Sequence, residues 1–152
     1  MTHDIATKWM GDMQFDADVN GHTITMDAAE KVGGHNKGPI PKPFVLTALS
    51  GCTGMDVATI MRKSKRELSS FNIKVSGTIS EQQPIEYTAI HIVYEFEGRS
   101  EDRDAAIKAV NLSQEKYCGV SHMLKKIMPV TWDIMYNSEH VYSNIPKQEC
   151  NN

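Results

Sequence analysis

Hydrophobic and polar residues alternate with a period of two near the start of the chain. The alternation runs through residues 14–19 and resumes in residues 23–27, with Asn20 and Gly21 between the two runs. An Asn-Gly pair in this position is a strong signal for a β-hairpin. Residues 8–10, Lys-Trp-Met, form a further candidate strand before it. The pattern therefore predicts a small β-sheet at the start of the chain.

A long apolar segment follows a loop rich in glycine and proline, which spans residues 28–42. A helix is predicted from about Pro43 to Lys65, because proline suits a first helical turn. Its first half is mostly apolar, so we expect that half to be buried nearly all round. An interior glycine costs a helix roughly 1 kcal/mol relative to alanine, so repeated small residues predict close packing against another helix. Such residues recur here at Thr47, Gly51, Gly54 and Ala58.

The second half of the chain returns to shorter elements. They are predicted as strands over 71–79 and 90–96, a helix opened by the acidic residues 100–104, a short helix over 120–127 and a strand over 130–136. Gly119 is predicted to end the helix opened by 100–104, and the residues after 136 look loose. One face of that helix is marked by Ala106, Val110, Ser113 and Tyr117. Strands and helices segregated in this way indicate an α+β fold.

The composition narrows the class of protein. A chain of 152 residues is expected to form a single domain over 1–152. Charged residues make up 23% and the net charge is −3, which argues against a general nucleic-acid or anionic-membrane binder. We expect no membrane span, because no unbroken apolar run reaches about 18 residues. The start of the chain lacks the pattern of a secretory signal. Three cysteines without the spacing of a disulfide framework favour a reducing cytoplasm, so we expect a cytoplasmic protein.

The chain has three cysteines, and none of them forms a Cys-x-x-Cys pair. Cys52 lies between glycines in the apolar helix, and Cys118 lies at the end of the second helix. A two-cysteine redox site and two small core residues both fit this placement, since free cysteine is often buried. Cys150, in the polar tail, is expected to be an exposed thiol without a role. A zinc site has no supporting ligand spacing, so no metal is expected.

Two motifs resemble those of the OsmC and organic-hydroperoxide-resistance family. The first is Pro41-Lys-Pro-Phe-Val-Leu-Thr-Ala-Leu-Ser-Gly-Cys52, beside the family's Pro-x-Glu-Leu-Leu-x-Ala-x-x-Gly-Cys helix. The second is Glu115-Lys-Tyr-Cys-Gly-Val-Ser121, beside the family's Cys-Pro-Val-Ser element. The order of elements resembles that of the family over nearly the whole chain, and the sequence around both cysteines looks most like the YhfA-type branch.

The resemblance implies an OsmC-like homodimer of intertwined protomers, with long central helices flanked by antiparallel sheets. It also implies catalysis by two thiols at the dimer interface, without a cofactor. Cys52 would be the peroxidatic residue that attacks an organic hydroperoxide, and Cys118 the resolving residue that forms a disulfide with it. An unidentified external thiol would then reduce the disulfide.

The chain departs from the family pattern at the residues that activate the thiol. Active members keep an arginine in the loop before the helix and a glutamate near the helix start. Here Pro43 stands at the glutamate position, Val32 falls near the arginine position, and no arginine precedes Arg62. The candidate substitutes for the missing cation are Lys31, His35 and Lys37.

Asp56, four residues after Cys52, would also disfavour the activated thiolate form of Cys52. A free thiol is mostly protonated at neutral pH, and burial disfavours the thiolate further. Asp56, at i+4, would oppose thiolate formation unless a cation bridges the two residues. A non-catalytic small-molecule-binding protein on the same scaffold is therefore the alternative to a peroxidase.

Overall fold

The structure is a computed structural model that describes residues 2–145. These residues fall into two compact units, divided between Val45 and Leu46. The expectation of one family domain over 1–152 stays a prediction, and Cys150 lies outside the described residues.

The first unit is built on a three-stranded antiparallel sheet. Its strands follow one another in order: β1 (Ala6–Gly11), β2 (Gln14–Val19) and β3 (His22–Met26). The predicted hairpin is confirmed, because Asn20 and Gly21 connect β2 to β3 with φ angles of 54° and 80°. Both angles are in the left-handed region that a two-residue hairpin turn requires. The candidate strand at residues 8–10 is confirmed as part of β1.

A buried carboxylate organises the loop that follows the sheet. Asp27 is 2% exposed and accepts backbone N–H bonds from Ala28, His35 and Lys37 at 2.7, 3.0 and 3.1 Å. The bond from Lys37 is the largest of the effects that lower the pKa of Asp27. A short 3₁₀ turn, Glu30–Val32, lies inside this loop. The long loop is therefore ordered by its own backbone donors.

The second unit contains a four-stranded sheet and the helices that connect it. The long helix α1 (Phe44–Lys63) leads into it across the division between the units. The remaining elements are β4 (Leu68–Ile79), β5 (Tyr87–Gly98), a 3₁₀ turn (Ser100–Asp102), α2 (Arg103–Leu112), a π-helical turn (Ser113–Tyr117), α3 (Gly119–Leu124), β6 (Val130–Tyr136) and β7 (Glu139–Ser143).

The α+β class is confirmed, and the second sheet adds one feature that the sequence did not indicate. Its strand order is β4-β5-β6-β7, and β5 pairs with β6 in parallel, whereas its other pairs are antiparallel. The sheet is therefore mixed and not purely antiparallel. A parallel pair needs a crossover connection, and the segment containing α2 and α3 provides it.

Helix α1 is buried on one face within the chain, so the expectation of burial nearly all round was wrong for a single protomer. The buried line repeats every four residues, at Leu49, Thr53, Val57 and Met61. A Cβ added at Gly54 would lie 3.0 Å from the Ile73 side chain of β4, so Gly54 packs against the sheet and not against a helix. A Cβ at Gly51 would meet nothing within 4 Å. The exposed positions of the predicted stripe are Thr47, Gly51 and Ala58.

Within the described residues, α1 has the length and composition of a membrane-spanning helix. In its most apolar part, 22% of the residues are buried within the chain. The expectation of no membrane span rests on unbroken apolar runs, whereas α1 meets the criterion only on average, because polar residues interrupt its apolar ones. Core helices of soluble proteins meet the same criteria, and the inward face of α1 packs on the second unit's core.

The second helical region differs from its prediction where the backbone changes winding. Ala106, Val110 and Ser113 are buried as expected, but Tyr117 is 52% exposed. The π-helical turn Ser113–Tyr117 has more residues per turn than an α-helix, which moves Tyr117 off the predicted face. Gly119 does not end this helix but begins α3, because the break lies one residue earlier, at Cys118. Strand β7 was not predicted, because the residues after 136 were expected to lack regular secondary structure.

Candidate functional site

The two predicted site cysteines lie beside each other in the second unit. Cys52 is half-buried in the third turn of α1, and Cys118 is 2% exposed. Their sulfur atoms and a carboxylate oxygen of Asp56 all lie within 4.8 Å of one another. Both thiols are free. The structure thus brings together the residues that the sequence proposed for catalysis, and their roles stay predictions.

The π-helical turn and α3 place the Cys118 sulfur. The N–H of Cys118 donates to the carbonyl of Ser113 at 2.8 Å, which closes the π-helical turn. Cys118 itself is extended, with φ −71° and ψ 101°, and its Sγ accepts a bond from the N–H of Ser121 at 3.4 Å. Single π-helical turns occur often at functional sites. Here the turn lets the chain change direction so that the thiol faces α1.

Asp56 is held by a hydrogen-bond chain that starts in the core. Ser113 Oγ donates to Asp56 Oδ2 at 3.0 Å. Because the only hydroxyl proton of Ser113 is used in that bond, Ser113 Oγ can only accept a bond from Thr53. Thr53 Oγ1 therefore donates to Ser113 Oγ at 2.9 Å. The Tyr94 hydroxyl in turn donates to Thr53 Oγ1 at 2.7 Å. The chain therefore has one direction, from Tyr94 on β5 towards the carboxylate.

Gln114 completes this buried network. Its Nε2 donates to the Tyr94 hydroxyl at 2.6 Å and, at 3.3 Å, to Thr53 Oγ1, while its Oε1 accepts from Ser121 Oγ at 2.6 Å. Burial raises the pKa of Tyr94 to about 12, so this residue remains a donor at neutral pH. Among the described residues, no buried side-chain nitrogen or oxygen lacks a hydrogen-bond partner. A fully satisfied polar network of this kind fixes the positions of its members.

The surroundings of Cys118, chiefly its burial, disfavour a thiolate on this residue. Burial raises the pKa of Cys118 to about 11, with smaller contributions from Cys52 and Asp56 in the same direction. Lys125 is a nearby cation: its Nζ donates to the carbonyl of Gln114 at 2.7 Å and lies 4.5 Å from the Trp132 ring centroid. Burial lowers the pKa of Lys125, partly opposed by Glu115 and Cys118. At neutral pH, Cys118 is therefore a thiol.

The loop residues considered as substitutes for an arginine belong to the first unit. His35 Nε2 lies 2.9 Å from Asp12 Oδ2, and the backbone of Lys37 bonds to Asp27. Val32, near the family's arginine position, is 58% exposed. Lys31, His35 and Lys37 stay candidates for a cation near Cys52, and the role of ordinary loop or capping residues stays open for each of them.

Sequence reasoning did not identify the polar residues that support the site. The signal available was a polar residue on an otherwise apolar face, as Ser113 is on the face predicted for the second helix. Because the network joins residues from three distant segments, their mutual contacts could not be inferred from local pattern. The missed residues are Thr53, Tyr94, Ser113, Gln114, Ser121 and Lys125.

The profile of OsmC-like proteins matches residues 34–133 of the chain. The chain belongs to the OsmC family. Protein YhfA of Escherichia coli (strain K12) is 33% identical over 125 residues, which cover 82% of this chain and 90% of YhfA. The predicted membership, with YhfA-like relatives, is confirmed.

Solved OsmC-like structures extend the similarity to the whole fold. A protein from Aquifex aeolicus VF5 superimposes with a TM-score of 0.74 at 28% identity, over 90% of this chain and 98% of that one. An organic hydroperoxide resistance protein from Elizabethkingia anophelis superimposes with a TM-score of 0.64 at 15% identity, over 90% and 97%. At that identity the second comparison shows the fold alone.

Proposed function

We propose that the protein is a thiol-dependent peroxidase that reduces organic hydroperoxides through Cys52 and Cys118. One observation carries this proposal: the two free sulfurs lie within 4.8 Å of each other, one half-buried and the other buried. Cys52 can therefore contact a substrate, whereas Cys118 is close enough to react with Cys52.

The reaction divides into two steps. Cys52 sulfur attacks one peroxide oxygen, the O–O bond breaks, and the products are a sulfenic acid and the alcohol, which takes up the thiol proton. Cys118 sulfur then attacks Cys52 sulfur, an S–S bond forms, and the sulfenic hydroxyl leaves as water with the second thiol proton. An external thiol reduces the disulfide by exchange. We expect slow turnover, because no arginine has been retained in the loop before α1.

Homodimer formation in the cytoplasm is part of the proposal. The outward face of α1 carries Gly51 and Ala58 beside Met55, which is 74% exposed. An apolar helix of 20 residues with such a face is suited to packing against its copy. The family fold and the small residues at this face support the assignment.

The test is hydroperoxide consumption by the reduced protein and by variants of each cysteine. Cys52→Ser should abolish consumption of cumene hydroperoxide. Cys118→Ser should consume one equivalent and accumulate a sulfenic acid that dimedone traps at Cys52. Cys150→Ser is the matched control and should behave as the wild type. Equal, slow consumption by the wild type and by Cys52→Ser would refute the peroxidase proposal.

The carboxylate of Asp56 favours the alternative, a non-catalytic small-molecule-binding protein. A peroxidatic thiol needs a neighbouring cation, whereas Asp56 places a negative group within 4.8 Å of both sulfurs. If this alternative holds, a stoichiometric pulse of cumene hydroperoxide will leave the thiol titre of Cys52 unchanged.

A further inference from the structure

We propose that Cys52, Asp56 and Cys118 form a binding site for a thiophilic divalent cation of the Zn²⁺ class. Each residue offers one ligand atom, and the three atoms lie within 4.8 Å of one another. The proposal does not depend on peroxidase activity, because it concerns only the capacity of these three groups to bind a metal.

The geometry fits three protein ligands around one tetrahedral ion. Zinc–sulfur bonds of about 2.3 Å and zinc–oxygen bonds of about 2.1 Å separate the donors in such a site by roughly 3.5–3.8 Å. Cys52 and Asp56 are four residues apart on α1, the same spacing with which helical ligands share one ion. Cys118 approaches from the break before α3. Modest rotation of the side chains would bring the three donors to bonding distance and leave a fourth position for water.

The neighbours of these ligands are those expected around a metal centre. Ser113 Oγ donates to Asp56 Oδ2 at 3.0 Å, and the N–H of Ser121 donates to Cys118 Sγ at 3.4 Å. Outer hydrogen bonds of this kind orient the ligand groups. The Ser113 bond is the end of the buried chain from Tyr94, so the carboxylate is fixed from within the core.

The donor set selects the class of ion. Binding of the ion would release the thiol protons to solvent. The resulting set of two thiolates and a carboxylate favours a soft or borderline divalent cation, whereas Mg²⁺ and Ca²⁺ require oxygen ligands in larger number. The nearby ammonium of Lys125 would oppose a metal by its charge, but it is bonded to the Gln114 carbonyl at 2.7 Å and lies 4.5 Å from the Trp132 ring centroid. Sequence spacing gave no indication of the site because its third ligand is far away along the chain.

The site should exist only in the reduced protein. A disulfide between Cys52 and Cys118 would consume both thiolate ligands and leave Asp56 alone. Metal binding and disulfide formation are therefore mutually exclusive at the same pair of sulfurs. A bound ion would in turn shield both thiols from alkylating reagents and oxidants.

The experiment is a titration of the reduced full chain with Co²⁺ alone and then with Zn²⁺ alone, in a Cys150→Ser background that removes the tail thiol. We expect one Co²⁺ per chain, with thiolate-to-cobalt charge-transfer absorption and the visible bands of a tetrahedral ion, both displaced by Zn²⁺. Asp56→Asn should weaken Co²⁺ binding by about tenfold or more, since even loss of an outer partner costs about 10–100-fold. Asp104→Asn, whose side chain is 86% exposed on α2, is the matched control.

A second measurement needs no site variant and covers the case in which one of them fails to fold. Zn²⁺ should slow alkylation of both Cys52 and Cys118 in the Cys150→Ser protein, read by mass spectrometry, and diamide oxidation should abolish Co²⁺ binding. Absence of a thiolate charge-transfer band, or unchanged alkylation with Zn²⁺, would overturn the proposal. Equal Co²⁺ affinity of Asp56→Asn and Asp104→Asn would also overturn it. None of these readouts uses peroxide, so they separate this proposal from the peroxidase.

Discussion

Replacing Tyr94 by phenylalanine tests whether the network behind the site stabilises the fold. Tyr94 is 0% exposed, and its hydroxyl is 2.7 Å from Thr53 Oγ1 and 2.6 Å from Gln114 Nε2. Tyr94→Phe keeps the ring and removes only the oxygen. Thr53 Oγ1 then loses its 2.7 Å partner and Gln114 Nε2 its 2.6 Å partner, which leaves only the 3.3 Å bond from Gln114 Nε2 to Thr53 Oγ1.

The expected cost follows from the groups left without full hydrogen bonding. A buried polar group deprived of its partner costs about 1–3 kcal/mol. For a chain of this length, each kcal/mol lowers Tm by about 2–4 °C, so we expect a loss of roughly 2–12 °C. Thr53 and Gln114 are both buried, which leaves them little access to replacement water.

Alkaline pH provides a second readout of the same residue. Burial raises the pKa of Tyr94 from 10.0 to about 12, so the unfolded chain releases this proton at a lower pH than the folded chain. The folded state then binds more protons, and the free energy of unfolding falls as pH rises from 10 towards 12. The full difference between the two pKa values corresponds to about 3 kcal/mol, about half of which is lost by pH 11. Tyr94→Phe should not show this loss.

Urea unfolding at one chain concentration, from pH 7 to pH 11, measures both effects. Tyr117→Phe is the matched control, because Tyr117 is 52% exposed on the π-helical turn. If Tyr94→Phe loses no more stability at pH 7 than Tyr117→Phe, the network does not stabilise the fold. An unchanged alkaline slope in Tyr94→Phe would refute the assignment of the proton.

Two further predictions concern the helix surface and a buried ion pair. Gly51→Leu should leave the protomer folded but weaken dimerisation, measured by sedimentation, because a Cβ at Gly51 meets nothing within 4 Å in the chain. Gly54→Leu should instead lower Tm, because its side chain would collide with Ile73. An unaffected dimer in Gly51→Leu would place the interface elsewhere. Burial alone would raise the pKa of Asp102, but hydrogen bonds from Arg66 and Arg99 lower it below the value in the unfolded chain. The ionised Asp102 therefore stabilises the fold, and this stabilisation should be lost as pH falls below about 4. Acid unfolding of Asp102→Asn should lack that loss, and a wild-type acid profile would contradict it.

Elements whose signal is local were the ones predictable from sequence. The hairpin at Asn20 and Gly21 follows from the conformational demand of two residues, and β6 follows from strict alternation over 130–136, every second residue of which is buried. Helix α1 was predicted within two residues of both ends, at Phe44 and Lys63. Hydrophobic periodicity is sufficient to predict such elements because each of them packs one face against a core.

Features that depend on distant segments were not predictable in the same way. The parallel pairing of β5 with β6 is a consequence of the crossover through α2 and α3, which no local pattern encodes. The π-helical turn is a change of winding within a continuous helical pattern, so the sequence placed Tyr117 on the wrong face. At the site, the motifs indicated Cys52 and Cys118, whereas the chain of donors leading to Asp56 required the tertiary structure.

Asp56 connects the two proposals, and a single variant should move them in opposite directions. Within 4.8 Å of a sulfur, a carboxylate repels a thiolate by at least about 0.9 kcal/mol in a water-like medium and at least about 3.5 kcal/mol at the effective dielectric of a protein surface. The same negative charge attracts a divalent cation. Asp56→Asn should therefore speed the reaction of Cys52 with cumene hydroperoxide by about twofold or more, the gain being limited because less basic thiolates are weaker nucleophiles.

The same variant should lose affinity for Co²⁺, so the two measurements on one protein diverge. An arginine beside the thiols, as in active family members, would have the reverse effect and would favour the thiolate while excluding the metal. If Asp56→Asn instead slows the peroxide reaction, the carboxylate assists the thiol and the electrostatic reasoning for weak peroxidase activity is wrong. If both the rate and the affinity are unchanged, Asp56 does not act on the sulfurs through its charge.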